Sequence, residues 1–447
     1  RLALNPIIDT QFQFSAGDDP FSIALSYNYE TSTEEGSSGT LFALYPHLQS
    51  FTQSDVTTTG SYSTPRGSMT LQQGSILSAE IPAMGILPML PVSLTAGERD
   101  QLRTLILSDS EITNPKAYLD RFRDTYWSGK ALLKTMQSAQ LAKYIGEDAL
   151  ANKLVTAVTD TLDDWFYASG QTGDRHFSYN PVWDTVQGYP DSFGSASQLN
   201  DHHFHYGYFI HAAALAGLFD PGWAQSQQTM VDLLINDVAG WNLSDASLPE
   251  LRNFSAMAGH AWASGHGAFG RGNNQESSSE SMNFYTGLTL WGSITERSEM
   301  AQLGQTLYSL EAQAIQQYWF DHEATTYPDG FDVESVGMIW GDGAAHATWF
   351  SAEPEHIKGI NFLPFTGGSL YLSEMARDPS AFFEEVDLLT GGRIDQWGAL
   401  MLQYQALVDP HGALIREDEL IGQLEEGQSE AGVYSWIHTL TKLGRPT

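Results

Sequence analysis

This chain predicts a mainly α-helical fold in which a short β-rich stretch precedes a larger array of helices, and three observations carry that reading. Apolar residues alternate with period two near the start, a proline-rich segment follows, and beyond it the period becomes that of an amphipathic helix. The alternating stretch is Phe21-Ser22-Ile23-Ala24-Leu25-Ser26-Tyr27-Asn28-Tyr29, punctuated by Gly, Ser and Thr clusters such as Glu34 to Thr40. Ile81 to Pro91 contains Pro82, Pro88 and Pro91, which a regular helix or central strand excludes. It therefore reads as a linker that closes a β region over residues 1–92.

Helices are predicted to fill residues 93–447. Leu133, Met136, Leu141, Tyr144 and Ile145 form the first apolar stripe. Leu150, Leu154, Ala157, Val158, Leu162 and Trp165 then fall at i, i+4, i+7, i+8, i+12 and i+15, one face of one helix. Further helices are expected near 205–216, stopped by Gly217, and near 223–238, 276–291, 299–318, 397–407 and 430–443. Joined by long loops rich in Gly, Asn and aromatics, they predict a ring of helical hairpins with function on one rim. No fixed-period repeat accompanies the ring, which rests on element count and order.

The 447 residues carry 54 acidic against 21 basic side chains, a formal charge of −33 that repels nucleic acid and anionic lipid surfaces. A neutral ligand is the natural partner. Only seven of the basic residues are Lys, a skew that fits an acidic secreted enzyme or a protein kept soluble in salt. With no Cys there are no disulfides and no thiolate metal sites. No apolar run approaches the roughly 20 residues of a membrane span. Arg1 opens into mature-looking sequence, an expectation of export with a leader removed or trimmed.

Chemistry concentrates in two segments, Leu199 to Gly207 and Gly272 to Asn283. Asp201, Glu276 and Glu280 sit there among amides, hydroxyls, imidazoles and aromatics, a mixture that suits a sugar. Glycosidic hydrolysis needs one carboxylic acid to protonate the leaving oxygen and one carboxylate to activate water or attack. Glu276 and Glu280 are four apart, so a helix would place them on one face about one turn from each other. Taken alone, Glu-Ser-Ser-Ser-Glu reads as a solvated helix start, with Ser277 to Ser279 near an N-cap; the His-rich segment beside it reverses that preference.

Candidate sugar contacts follow from the same character. They are His202, His205 and Tyr206 beside Asp201, Asn274 and Asn283 around the glutamates, and Tyr179 with Trp183, His260 with Trp262, and Trp340, Asp342 and Trp349 in polar-aromatic loops. The imidazoles of Asp201-His202-His203-Phe204-His205, with His260 and His266, raise a metal site as an alternative. There is no His-Glu-x-x-His spacing and no thiolate, and aromatics interrupt the run, so neither a metal nor any other cofactor is predicted. Gly270-Arg271-Gly272-Asn273 lacks the spacing of a phosphate loop.

Five ordered motifs together resemble glycoside hydrolase family 81, the endo-β-1,3-glucanases or laminarinases. They are Asn200 to Gly207, Gly259 to Gly265, Asn274 to Glu280, Trp340-Gly-Asp342 with Ala347 to Phe350, and Gly359 to Pro364. Tyr62 to Gly67 and Gly85 to Pro88 extend the resemblance over roughly residues 40 to 440. It implies an (α/α)6 toroid preceded by a β-sandwich and linker region, and inverting hydrolysis of β-1,3-glucan; together with the composition and motifs, the expectation is a secreted, monomeric, metal-independent, endo-acting enzyme. Asp201 would be the general acid and Glu276 the base. Glu280 would be a third essential carboxylate that positions the water or shares the base role. Family members carry a longer N-terminal sandwich, so the chain is expected to be a C-terminal fragment or a shortened member. The rivals are a catalytically silent β-glucan-binding protein and a different toroidal carbohydrate enzyme such as a polysaccharide lyase, which would want Arg and Lys for acidic sugars.

Overall fold

The computed structural model describes residues 5–32, 39–53, 57–170, 174–241 and 247–444. Arg1 and residues 34–38 of the cluster noted above lie outside that set. The β region forms two antiparallel three-stranded sheets. Strands β1 (Ile7–Ala16), β2 (Ser22–Thr31) and β6 (Ile76–Pro82) align in the order β1-β2-β6. Strands β3 (Thr40–Leu44), β4 (Thr57–Thr64) and β5 (Gly67–Gly74) align as β3-β5-β4, with the short helix α1 (Pro46–Gln49) after β3. The period-two pattern is realised in β2, where Ile23, Leu25, Tyr27 and Tyr29 are buried. Their partners Ile81, Ala79 and Leu77 on β6 bury the same face. Strand β6 runs on to Pro82, so the irregular segment begins two residues later than the prolines alone indicate. Pro82 is the last residue of its strand, where a missing N–H is tolerated.

The remainder is mainly helical, in agreement with the change of period. After α2 (Ala96–Ser108), α3 (Ser110–Thr113) and α4 (Pro115–Leu119) come the paired helices α5 (Thr125–Tyr144) and α6 (Asp148–Phe166). A hairpin, β7 (His176–Asn180) and β8 (Thr185–Tyr189), leads to the pair α7 (His202–Phe219) and α8 (Pro221–Ala239). Two-residue strands β9 (Phe254–Ser255), β10 (His260–Ala261) and β11 (Asn274–Gln275) precede the pair α9 (Ser278–Ile294) and α10 (Ser298–Tyr318). Strands β12 (Met338–Trp340) and β13 (Gly343–Ala345) then give way to α11 (Pro354–Gly359), α12 (Pro379–Thr390), α13 (Gly398–Val408), α14 (Pro410–Leu420) and α15 (Glu430–Leu443).

Local chemistry explains the starts. Asp124 caps α5 by accepting the N–H groups of Tyr126 and Trp127. Asp220, Asp378 and Asp409 each cap a helix whose first residue is the following proline. Thr95 and Glu98 close a reciprocal capping box on α2.

Glycines set how closely the inner helices approach. A Cβ on Gly207 would lie 2.8 Å from Phe284 Cβ, one on Gly287 would lie 2.7 Å from His211 Cα, and one on Gly217 would lie 2.4 Å from Ile294 Cδ1. The pairings 207 with 284, 211 with 287 and 217 with 294 advance together, so α7 and α9 are parallel. Gly217 thus lies inside α7 as a packing surface, and the stop is the Asp220-Pro221 pair one turn later. The same logic makes α5 parallel to α7, since Thr125 meets His205 and Gly129 meets Tyr208. All three helices therefore begin at one end of the molecule. Contacts continue from the start of α9, where Ser277 and Ser279 donate to the Ile360 carbonyl, through Phe362 stacked on Tyr404 of α13. Trp436 of α15 donates to the Gln403 carbonyl of α13, and α15 packs back on α5.

Candidate active site

Asp201 stands at the N-cap of α7 in the left-handed conformation, φ 60° and ψ 22°, and its side chain caps nothing. Asp tolerates that region better than most residues, and holding it there costs about 1–3 kcal/mol, a strain typical of functional positions. Its backbone N–H donates to the Ala263 carbonyl at 2.8 Å, and Ala263 N–H donates to the Asn274 carbonyl at 2.7 Å. Two hydrogen bonds thus tie the carrier of Asp201 to the strand that ends just before Glu276.

Glu276 is not on the helix. Strand β11 pairs Asn274 with Trp340 and Gln275 with Ile339, and Ser277 takes the N-cap of α9, so Glu276 occupies the junction and only Glu280 is helical. The expected stacking of the two glutamates on one helical face is corrected accordingly. Glu276 Oε1 accepts the Trp349 N–H at 2.7 Å. Glu280 is 2% exposed.

The three carboxyls differ in what surrounds them. Burial, then the charges of Glu276 and Glu280, pushes Asp201 well above the usual carboxylate range. Burial raises Glu276 to about 7, with the Trp349 N–H opposing and Glu280 adding to the rise. Burial also raises Glu280, but Lys130 foremost, then Ser277, Tyr208 and Tyr126, draws it back toward the ionised form. All three are thus raised by burial, Asp201 the further by its two acidic neighbours, and Glu280 against the pull of Lys130.

Several residues expected to touch sugar are instead buried supports. His202 Nδ1 meets Asp237 Oδ2 at 2.6 Å and its Nε2 meets the Ser195 carbonyl at 2.7 Å, while Arg252 pairs with the same Asp237. Tyr206 donates to the Val186 carbonyl and accepts from Gly188 N–H. His205 engages Thr125, His260 engages Arg66, and Asn283 engages His211. Helical geometry is the reason: successive histidines of α7 point to different neighbours, so His202, His203 and His205 find Asp237, Gln275 and Thr125 separately. Among the described residues no group of three His, Asp or Glu gathers as metal ligands.

Ring faces remain open elsewhere. Trp183 is 42% exposed with His266 edge-on, Trp349 is 56% exposed, and Trp262 is half-buried. Trp349 Nε1 donates to Asn274 Oδ1, and Trp349 packs with Trp340 and Phe269. Tyr179 donates to Asp184 and to the Ser247 carbonyl at the β7–β8 turn. Asp342 pairs with Arg271 in solvent.

Three site groups escaped the sequence reading. Lys130 of α5 is buried in an ion pair with Glu425, beside the rings of Tyr126 and Trp127. Arg66 reaches in from the β region. Glu311 of α10, raised to about 8 by burial, accepts from Ala261 N–H and the Tyr285 hydroxyl behind the site. Their partners lie tens to hundreds of residues away. Two sequence signals exist for them: Lys130 is a scarce lysine three residues after two aromatics, and Arg66 lies within the Tyr62 to Gly67 motif.

Three carboxyls raised by burial and gathered at the starts of α7 and α9, with exposed aromatic faces nearby, have the makings of a general acid–base site of the glycoside hydrolase class. Residues 98–436 match the glycosyl hydrolase family 81 C-terminal domain. The chain is 38% identical over 433 residues to a glucan endo-1,3-beta-D-glucosidase of Thermobifida fusca, covering 95% of this chain and 56% of that protein. It is 36% identical over 444 residues to one of Acetivibrio thermocellus, covering 98% and 57%. The glycoside hydrolase family 81 structure from Clostridium thermocellum (CtLam81A), a mutant form, superposes with a TM-score of 0.91 at 36% identity, over 100% of this chain and 62% of that one. This chain belongs to glycoside hydrolase family 81, the family that its ordered motifs resemble. It spans a little over half the length of the two glucosidases.

Proposed function

We propose that this chain is the catalytic part of a secreted, monomeric enzyme that cuts laminarin-like β-1,3-glucan internally with inversion. The observation that carries the reading is three carboxyls gathered at the starts of α7 and α9, each raised by burial, with Asp201 raised further by Glu276 and Glu280 and Glu280 opposed by Lys130. Asp201, free of any capping duty and protonated, donates its proton to the leaving glycosidic oxygen. Glu276 takes a proton from the water that attacks the opposite face of the sugar ring, and Glu280 orients that water. Inversion requires acid and base carboxyls ~6.5–9.5 Å apart, which leaves room for the water between base and sugar. Trp183, Trp262 and Trp349 offer the flat faces on which successive glucose rings stack, and Tyr179 and Asp342 the rim polarity. The buried His202, His205, Tyr206, His260, Asn274 and Asn283 shape the wall from behind.

The architecture proposed is an (α/α)6 toroid over residues 93–447, with residues 1–92 as a β-rich flank. Its support is the parallel start of α5, α7 and α9 at one end and the contact series that returns through α13 and α15 to α5. Among the described residues no helix is long and apolar enough to cross a membrane. The test is hydrolysis of laminari-oligosaccharides followed by NMR of the first-formed anomer. An α-anomer product supports inversion; a β-anomer refutes it; glucan binding without cleavage returns the silent-binder reading.

A further inference from the structure

Arg66 occupies the turn between β4 and β5, more than 20 residues before the helical body begins. Its backbone N–H donates to Thr64 Oγ1 at 3.1 Å, and Thr64 Oγ1 donates to the Gly67 carbonyl at 2.8 Å, which fixes the turn. The neighbouring Gly67 has φ +90°, and a Cβ there would lie 3.0 Å from the Thr325 carbonyl oxygen, so the turn is pressed against the helical body. The side chain is 7% exposed. Its Nη1 meets His260 Nε2 at 2.9 Å and its Nη2 donates to the Trp340 carbonyl at 3.2 Å. The guanidinium lies 5.2 Å from the ring of Trp262 and 5.2 Å from that of Tyr318.

These partners share one property. His260 begins the strand that leads to Ala263, the residue whose carbonyl holds the Asp201 backbone. Trp340 pairs with Asn274, two residues before Glu276. Trp262 is covered by the guanidinium on one side and half-open to solvent. His260 Nδ1 lies 2.7 Å from the Ala261 carbonyl, which places its proton on that nitrogen and leaves Nε2 to accept from Arg66. Among the described residues no carboxylate pairs with Arg66, so desolvating this cation is offset by a carbonyl, an imidazole and two ring faces. A buried arginine with that set of partners has a geometric task.

We propose that Arg66 is a positioning residue for glucan recognition, by which the β region holds the Trp262 platform and the Trp340 strand in place on one wall of the groove. The proposal rests on the glucanase reading for its ligand. Its fork of donors spans β10, which leads to the carbonyl that holds Asp201, and β12, which pairs with the strand before Glu276, and its cation stiffens the ring on which a sugar would stack. Removing residues 1–92 would therefore remove part of the groove wall.

The test compares wild type, Arg66→Met and Arg66→Lys. Affinity for laminarihexaose is measured by calorimetry in the Asp201→Asn background, steady-state kinetics in the otherwise intact enzyme, and tryptophan emission without ligand. Arg66→Met is expected to weaken hexaose binding and raise KM about tenfold, the worth of one desolvated cation–ring contact, while kcat changes less and its pH profile keeps its shape. Arg66→Lys, which keeps the charge and loses the fork, should fall between and serves if Arg66→Met does not fold. Emission should shift in Arg66→Met, and the shift should vanish when both proteins carry Trp262→Phe. Unchanged hexaose affinity with a lower Tm would overturn the proposal and leave Arg66 as fold support. If the wild type neither binds nor cuts laminarihexaose, the glucanase reading fails by itself. The emission comparison still decides the link, since an unshifted Trp262 signal overturns it.

Discussion

Lys130→Met separates the electrostatics of the site from its stability. Lys130 and Glu425 form a pair in which neither side chain is more than 3% exposed, so the methionine leaves Glu425 buried without its cation. Breaking a buried pair from one side costs about 3–5 kcal/mol, whereas removing both charges is often close to neutral. Urea unfolding should therefore show Lys130→Met strongly destabilised and Lys130→Met/Glu425→Gln largely restored. Activity should not follow that recovery. Lys130 is the foremost influence drawing Glu280 back toward ionisation, and a cation within ~4–6 Å lowers a carboxyl by ~1–3 pH units. Without it Glu280 rises further, fewer molecules carry the anion at a given pH, and the acid limb of kcat moves up by about one unit or more. One unit is about tenfold in rate on that limb. Activity should return as pH is raised until Glu280 ionises. A double variant with the wild-type pH profile would refute the assignment of Lys130 to Glu280.

Asp201→Asn should lower kcat by ~10²–10⁴-fold with oligosaccharide binding intact by calorimetry; more than about a tenth of wild-type turnover would remove Asp201 as the acid. With Glu276 raised to about 7, the base is protonated below that pH, so kcat/KM should fall as pH drops through it. Glu276→Gln should be inactive and Glu276→Ala partly revived by azide, and the reverse pattern at Glu280 would make Glu280 the base. Dialysis against EDTA should leave turnover unchanged, and loss restored by a divalent ion would revive the histidine-cluster alternative. Gly207→Ala places a methyl 2.8 Å from Phe284 Cβ and should cost about 1–3 kcal/mol in urea unfolding through overpacking.

Local periodicity was the legible part of this chain. The alternation in β2 and the stripe from Leu154 to Trp165 in α6 each report which face is buried, because a single element sets the period. The apolar pattern starts α7 near 205 and the structure starts it at 202, since three imidazoles look polar until their partners across the chain are known. Asp220-Pro221, Asp378-Pro379 and Asp409-Pro410 were readable helix starts that the apolar pattern overshadowed. Asp201, Glu276 and Glu280 could be picked out by residue type, but Glu276 was placed on a helix because nothing local announces that β12, over 60 residues on, draws Gln275 into a strand. Lys130 with Glu425 and Arg66 with His260 join residues 295 and 194 positions apart, distances at which a sequence pattern carries no signal.

Because α5, α7 and α9 start at the same end, each points the positive pole of its aligned peptide dipoles toward that end, about half an elementary charge apiece. In a chain of net charge −33, these poles lower the cost of gathering Asp201, Glu276 and Glu280 at that end. The poles belong to the helix backbones and are indifferent to what the connecting loops contain. Loop residues can be exchanged or loops lengthened without moving that field, so the electrostatic setting of the three carboxyls is a property of the helical scaffold and not of the loops that join it.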